Sequence, residues 1–209
     1  MASDIDWKLS HGSARVYLAN PKNGLRRPLI VLADGGHGET DLSAFQTALD
    51  DPSYSFITQA RRRGNDVILV GYSNGEASLK DHARVVMEVV MKAISERMGN
   101  APLTVGGIGR GALATRYALA QAESMKMDHQ SATYFSFDGT APSQEEKNDL
   151  ERLGDWPFRP RKFSLVSDGF TSELNSEDFD DSIEGAADSD EALITEKLGS
   201  WLLERLQQY

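Results

Sequence analysis

A glycine-rich turn in the middle of the chain has the residue types and spacing of a functional site. It reads Val105-Gly-Gly-Ile-Gly-Arg-Gly-Ala112, and it joins an apolar strand pattern to a helix pattern. A strand-to-helix turn this tight brings backbone close to a ligand or presents a side chain on a strained corner. The corner residue is Gly109, which has no hydroxyl to attack a substrate. The backbone amide of Arg110 is still available as a hydrogen-bond donor to a substrate, and the Arg110 side chain could pair with an anionic ligand.

Two further glycine-rich loops follow patterns of buried strands. They read Asp34-Gly-Gly-His-Gly38 and Gly71-Tyr-Ser-Asn-Gly75. Because ligands bind at the carboxyl ends of parallel strands, Gly35, Gly36 and Ser73 are candidate substrate-binding residues. Ser73 completes a literal G-x-S-x-G motif, but the helix pattern begins only several residues later. We therefore expect a turn serine that could face the cleft, and not a nucleophile.

Two aspartates and one histidine lie near the same edge of the predicted sheet. Asp138 and Asp168 each end a strand pattern, and His37 lies in the first glycine-rich loop. Asp138 has two interpretations: a buried acid that loop amides hold, or a general acid/base with a raised pKa. His37 is the histidine best placed to reach the site, although a loop histidine commonly faces solvent. We expect His82 and His129 to be surface or capping residues.

The same turn admits a dinucleotide-binding interpretation. Gly107, Gly109 and Ala112 fit the fingerprint G-x-G-x-x-A, whose backbone holds a pyrophosphate at a helix N-terminus. That motif normally follows the first strand of its unit, with an acid about 20 residues later. Here it follows the third buried strand, and Asp138 lies well beyond that spacing. We therefore favour a hydrolase-type corner, and we predict no cofactor and no metal.

The elements that position these residues alternate between strands and helices. Such alternation predicts right-handed crossovers and an α/β fold with a mainly parallel sheet flanked by helices. The connection between Asp138 and Arg161 is short, which indicates a compact fold without a lid, and we expect one domain over residues 1–209. The predicted elements are an edge strand at 14–19, buried strands at 28–33, 66–70, 103–105, 132–138 and 161–166, and helices at 41–63 with a break near 51–52, 79–98, 112–126, 142–153 and 194–206.

Composition and charge exclude several classes of partner. The chain of 209 residues has a formal net charge of −10, which argues against nucleic acid. It has no cysteine, no apolar run long enough for a membrane span, and no signal-peptide pattern at its start, so we predict a cytoplasmic protein. Residues 172–191 hold nine acidic residues and no Lys or Arg. We expect a solvated, mobile acidic loop there, and not a calcium site.

At the central turn the chain resembles the α/β-hydrolase superfamily. More narrowly, it is similar to a lipase- or esterase-like branch whose corner reads G-G-x-S-x-G-A-L-x-x-R-Y-A-L-A. This chain has Gly106-Gly-Ile-Gly-Arg-Gly-Ala-Leu-Ala-Thr-Arg-Tyr-Ala-Leu-Ala120, and Ser136-Phe-Asp138 matches the start of a later S-F-D-S-P-H. The resemblance covers about residues 28 to 167. It implies an α/β-hydrolase fold, with oxyanion amides from the loop 34–38 and from Arg110.

The departures from that branch concern its catalytic residues. The resemblance implies a nucleophile at the position of Gly109 and a triad acid at Asp168. It also implies a histidine late in the chain, but the last of the four histidines is His129. The joint loss of nucleophile, base and lid indicates divergence and not a single substitution.

Three functional hypotheses follow from these observations. In the first, the protein carries out cyclisation, isomerisation or elimination on a small, partly apolar carbonyl compound, and Asp138, Asp168 or His37 moves a proton. In the second, it is an inactive pseudo-hydrolase that binds a small ligand or a protein partner. In the third, it is a serine esterase inactivated by a Ser-to-Gly change at position 109. A filled site at Gly109 would favour the second hypothesis, whereas an open apolar pocket would favour the first.

Overall fold

The computed structural model describes residues 3–185 and 193–206 of the chain. These residues form an eight-stranded sheet flanked by six α-helices. The strands are β1 Ile5–Leu9, β2 Gly12–Tyr17, β3 Pro28–Leu32, β4 Asp66–Tyr72, β5 Leu103–Ile108, β6 Ser131–Phe137, β7 Arg161–Val166 and β8 Asp181–Glu184. The helices are α1 Leu42–Leu49, α2 Phe56–Arg62, α3 Leu79–Glu96, α4 Arg110–Ser124, α5 Gln144–Leu153 and α6 Glu196–Arg205.

The sheet is parallel except at its N-terminal end. Its strand order is β1-β2-β4-β3-β5-β6-β7-β8. All neighbouring pairs from β4 to β8 are parallel, whereas β2 runs antiparallel to both β1 and β4. The predicted mainly parallel sheet flanked by helices is therefore confirmed. Since the strands β3 to β7 share one direction, the loops that follow them meet at one edge of the sheet.

The first two strands differ from the sequence prediction. The strand predicted at the edge is β2, and it lies inside the sheet between β1 and β4. The edge is formed by β1, in which Trp7 and Leu9 are the buried residues. A strand this short, with so few apolar positions, gives too weak an alternation to be recognised.

The sheet has an apolar core on each face. On one face α3 and α4 pack against alternate residues of β3, β4 and β5, and Leu150 of α5 joins them. On the other face α1, α2 and α6 pack against the remaining residues of the central strands. Every residue of β3 and β4 is buried, as expected for strands covered on both sides. None of the described helices is long and apolar enough to cross a membrane.

Two segments on either side of β7 shape the far end of the sheet. Residues 138–160 contain α5 and no other helix, in keeping with the predicted absence of a lid. The acidic stretch 172–191 is not a loop throughout, because β8 pairs with β7 and Ser176–Asp178 form a 3-10 turn. The prediction of a loop is therefore wrong for residues 181–184. The pairing of β8 with β7 and the packing of Ile183 against the core outweigh the repulsion between the acidic side chains. Residues 186–191 of the predicted loop lie outside the described residues.

Glycine at position 107 allows β5 to contact the start of α4. A Cβ atom there would lie 2.6 Å from the carbonyl carbon of Gly111 and 2.8 Å from the amide nitrogen of Ala112. We expect Gly107→Ala to lower the free energy of unfolding by about 2 kcal/mol or more, because the backbone of α4 must move. Urea denaturation measures this change.

Gly36→Ala is the matched control, since no atom lies within 4 Å of a Cβ atom at that position. It should change the free energy of unfolding by less than about 1 kcal/mol. Equal destabilisation by the two substitutions would contradict the close contact between β5 and α4.

Candidate functional site

The predicted strand-to-helix corner lies between β5 and α4. Its residue Gly109 has φ 52° and ψ −118°, a backbone conformation that L side chains rarely adopt. The amide of Gly109 donates to the carbonyl of Phe137 at 2.9 Å, so the corner is tied to the end of β6. Gly111, in the first turn of α4, packs against the end of β3: its Cβ would lie 2.3 Å from the carbonyl oxygen of Ala33. The corner therefore sits where the ends of β3, β5 and β6 meet.

The carboxylate of Asp34 fills the space next to this corner. A Cβ atom at Gly109 would lie 2.4 Å from Oδ1 of Asp34 and 2.8 Å from its Oδ2. The same Oδ1 accepts a hydrogen bond from the amide of Arg110 at 2.7 Å. That amide is the oxyanion donor which the sequence resemblance implies. Asp34 is solvent-exposed, so the corner holds a carboxylate at the surface of the protein.

Asp34 is not among the residues that the sequence pattern singles out, because the loop 34–38 predicts only a source of backbone amides. One signal does exist in the sequence: an acid directly after a buried strand, beside a corner residue with no side chain. A carboxylate is also favoured at the first turn of a helix, where unpaired amides and the helix dipole attract negative charge.

The two glycine-rich loops contact one another beside Asp34. The amide of Gly75 donates to the carbonyl of Gly38 at 2.6 Å. Gly35 lies between the loops and α4, since its Cβ would be 3.1 Å from the carbonyl oxygen of Gly75 and 3.2 Å from Cδ of Arg110. Gly36 is exposed and open. The structure thus brings the predicted residues Gly35 and Arg110 together next to the corner.

His37 and Ser73 lie at the outer side of these loops. Nδ1 of His37 is 2.8 Å from Oε1 of Glu76, and the His37 side chain is 97% exposed. Ser73 is also exposed, and its amide donates to the carbonyl of His11. Ser73 borders a separate cavity of about 260 Å³, which His11, Asp81 and His82 also line. Neither His37 nor Ser73 forms a side-chain hydrogen bond with Asp34 among the described residues.

The side chain of Arg110 is paired with an acid of α5. Its Nη2 lies 2.5 Å from Oε1 of Glu146. Glu146 also accepts a hydrogen bond from the amide of Ser143 in the capping box of α5. Burial acts to raise the pKa of Glu146, but the contacts with Arg110 and Ser143 outweigh it and hold the pKa below its ordinary value. Arg110 thus already has a carboxylate partner within the chain.

Asp138 is held by the loop after β7. Its Oδ1 accepts from the amide of Ser167 at 2.7 Å, and its Oδ2 accepts from the hydroxyl of Ser167 at 2.5 Å. Asp138 has φ 45°, a backbone conformation that is uncommon outside glycine, and the two hydrogen bonds from Ser167 stabilise it. Asp168 is exposed, and its carboxylate has no hydrogen-bond partner in the described part of the chain. The two aspartates are neighbours along this edge, but they are not paired with each other or with a histidine.

His82 and His129 are both buried, so the expectation of surface or capping residues is wrong. The His82 ring stacks on Tyr72 with centroids 4.0 Å apart, and its Nε2 lies 3.0 Å from the carbonyl oxygen of Asn74. Nε2 of His129 lies 3.1 Å from Glu123, and its Nδ1 accepts from the amide of Ser131. Both positions are fixed by tertiary contacts, which the sequence pattern does not reveal.

Tyr72 and His82 form a buried polar pair beneath the corner. The Oη atom of Tyr72 and Nδ1 of His82 have no hydrogen-bond partner among the described residues. Burial raises the pKa of Tyr72, and the charge of Asp34 adds to this effect. Burial lowers the pKa of His82. Both side chains are therefore neutral near pH 7. No cluster of three or more acids and histidines that could bind a metal occurs in residues 3–185 and 193–206.

A mainly parallel sheet of this strand order, with helices on both faces and a tight strand-to-helix corner after β5, is the α/β-hydrolase fold. The chain has this fold, and among solved structures it is similar to esterases and lipases. No protein-family model matches the chain, and no curated protein is significantly similar to it in sequence.

Three solved structures illustrate the likeness. A fungal esterase from Rhizomucor miehei gives a TM-score of 0.64 at 12% identity, with 98% of this chain and 82% of that chain covered. An esterase from Pyrobaculum calidifontis gives a TM-score of 0.60 at 12% identity, with 99% of this chain and 86% of that chain covered. A lipase/esterase from Lactobacillus plantarum gives a TM-score of 0.59 at 10% identity, with 98% and 96% covered. At these identities the likeness establishes the fold.

The buried His82 gives the stability of the protein a pH dependence. In the unfolded chain His82 takes up a proton near its ordinary pKa of about 6.5, whereas burial lowers its pKa in the folded protein. The unfolded state then binds more protons, so the free energy of unfolding should fall as the pH drops below about 6.5. Urea denaturation at several pH values between about 7.5 and 5 measures the slope. His82→Phe keeps a ring against Tyr72 and should flatten it; an unchanged slope would contradict this origin.

Proposed function

We propose that this protein is a pseudo-hydrolase, which uses an α/β-hydrolase scaffold to bind a small molecule or a protein partner without cleaving esters. One observation carries the proposal. The Asp34 carboxylate lies in the space that a side chain at position 109 would need, and it accepts a hydrogen bond from the amide of Arg110. A carboxylate in this place repels a tetrahedral oxyanion and blocks the approach of an acyl group. A cytoplasmic location stays a prediction from the sequence.

Serine hydrolysis also requires a nucleophile and a histidine base, and both requirements argue against ester cleavage at this corner. The position of the nucleophile is Gly109, and the sequence has no histidine after His129. Asp168, where the resemblance implies the triad acid, is exposed and has no histidine partner among the described residues, so it does not orient an imidazole. Without an attacking hydroxyl, a base and a free oxyanion donor, acyl transfer has no route at this corner.

The dinucleotide interpretation is disfavoured by the same contact. A pyrophosphate needs free amides at the start of a helix. At the start of α4 the Arg110 amide already donates to a carboxylate, whose charge repels phosphate.

Non-hydrolytic catalysis is the second candidate function, and one observation favours it. Asp34 is exposed at the corner, so its carboxylate could accept a proton from a ligand bound there. Two of the residues expected in this role already have partners, because His37 pairs with Glu76 and Asp138 pairs with Ser167. The third, Asp168, is exposed and forms no hydrogen bond with the corner among the described residues. This candidate therefore rests on Asp34.

A direct experiment can distinguish our proposal from the third hypothesis, an esterase that a single Ser-to-Gly change at position 109 has inactivated. We expect Gly109→Ser to hydrolyse short-chain p-nitrophenyl esters no faster than about tenfold above the wild-type background, because a serine without its histidine loses nearly all of its rate enhancement. The double variant Gly109→Ser/Asp34→Gly removes the contact at 2.4 Å that a serine Cβ would make and should be equally inactive.

Asp34→Gly alone is the matched control for this assay, and thermal melting verifies that each variant is folded. Saturable ester hydrolysis by either serine variant, together with covalent labelling of Ser at position 109 by a fluorophosphonate, would show that a base exists. That result would overturn the proposal.

A further inference from the structure

A cavity lies over β7 and β8, away from the glycine corner. It has a volume of about 420 Å³, within the range of small-molecule sites. Phe163 and Leu165 of β7 pack into the core with α6. Since side chains alternate along a strand, Ser164 and Val166 face the opposite side, where they line the cavity. No described helix covers this side of β7 and β8; the segment that follows β7 covers it instead.

Ser164 of β7 and Ser182 of β8 place two hydroxyl groups on the floor of the cavity. The two residues are in register, and parallel strands place such partners side by side on one face of the sheet. On its other side Ser164 is in register with Ser136 of β6, which does not line the cavity. Buried positions of a parallel sheet are usually aliphatic, so the buried Ser164 is a departure that packing does not explain.

Ser164 is the most informative residue of this floor. It is 7% exposed, and its hydroxyl has no hydrogen-bond partner in the described part of the chain. That hydroxyl is not one of the polar atoms that are shut off from solvent without a partner, so it is open to the cavity that Ser164 lines. A bound molecule there could donate a hydrogen bond to this hydroxyl or accept one from it.

The walls of the cavity add more hydroxyls, two carboxylates and one exposed ring. The hydroxyls of Thr171, Ser176 and Ser182 have no partner among residues 3–185 and 193–206. Asp168 and Glu184 are exposed at the rim, and Phe170 is 40% exposed. The sequence from 163 to 196 contains no Lys or Arg. This lining repels anions and offers groups that both donate and accept hydrogen bonds.

We propose that this cavity binds a neutral polyhydroxylated molecule, with the chemistry of a sugar or a polyol. The serine and threonine hydroxyls exchange hydrogen bonds with the hydroxyls of such a ligand, and the carboxylates of Asp168 and Glu184 accept from them. The ring of Phe170 packs against the C–H face of a sugar. No residue of the lining belongs to the corner at Gly109, so this inference holds whether or not the protein hydrolyses esters.

The test is isothermal titration calorimetry of the full chain with glucose, galactose and xylitol. Calcium chloride and sodium acetate serve as a cation probe and an anion probe. We expect at least one of the three polyols to bind at concentrations up to about 10 mM, and acetate and calcium not to bind. Ser164→Ala should weaken that binding at least about tenfold, because it removes a hydroxyl that the ligand bonds. It should leave the stability of the free protein close to that of the wild type, since this hydroxyl has no hydrogen-bond partner in the described part of the chain.

Ser124→Ala is the matched control, because that serine lies on α4 and its hydroxyl bonds within its own helix. It should leave the polyol affinity unchanged. Three results would each overturn the inference: binding of none of the three polyols, equal affinity in wild type and Ser164→Ala, or binding of calcium alone.

Discussion

The hydrogen bond from the amide of Arg110 to the carboxylate of Asp34 joins the end of β3 to the start of α4. It is 2.7 Å long, and it occurs where the helix dipole and unpaired amides stabilise a negative charge. A Cβ atom at position 109 would come within 2.4 Å of the same carboxylate. The corner can therefore hold a nucleophile or this bond, but not both in the present conformation. Next to this hydrogen bond the loop 34–38 contacts Gly75, and the side chain of Arg110 pairs with Glu146.

The corner keeps its shape because the packing requires it. A side chain at φ 52° and ψ −118° is strained, and glycine relieves that strain. The neighbouring glycines have a different role, because at Gly107 and Gly111 backbone from β3, β5 and α4 approaches too closely for any Cβ atom. The chain thus has this fold and this turn although it shares only 10–12% identity with the esterases to which it is similar. Shape and chemistry are separable at this site, since different residues carry them.

Much of the fold could be predicted from the sequence, and less of the site. Long periodic segments such as α3 and continuous apolar runs such as β4 were recognisable, and the strand-to-helix corner was placed correctly at Gly109. The strands β1 and β8 were missed because edge strands bury few side chains, and β8 lies in an acidic stretch. Asp34 was missed because its role depends on a contact with a residue far along the chain. The burial of His82 was mispredicted for the same reason, since its stacking on Tyr72 is a tertiary contact.

The most direct test of this account is the NMR chemical shift of the Arg110 amide proton in the wild type and in Asp34→Asn at neutral pH. In the wild type this proton should lie well downfield, as expected for a charge-assisted hydrogen bond. Asp34→Asn should move it upfield, because the acceptor of the hydrogen bond loses its charge. If the Arg110 amide proton is not downfield in the wild type and does not move in Asp34→Asn, the carboxylate does not fill the corner, and the central claim is wrong.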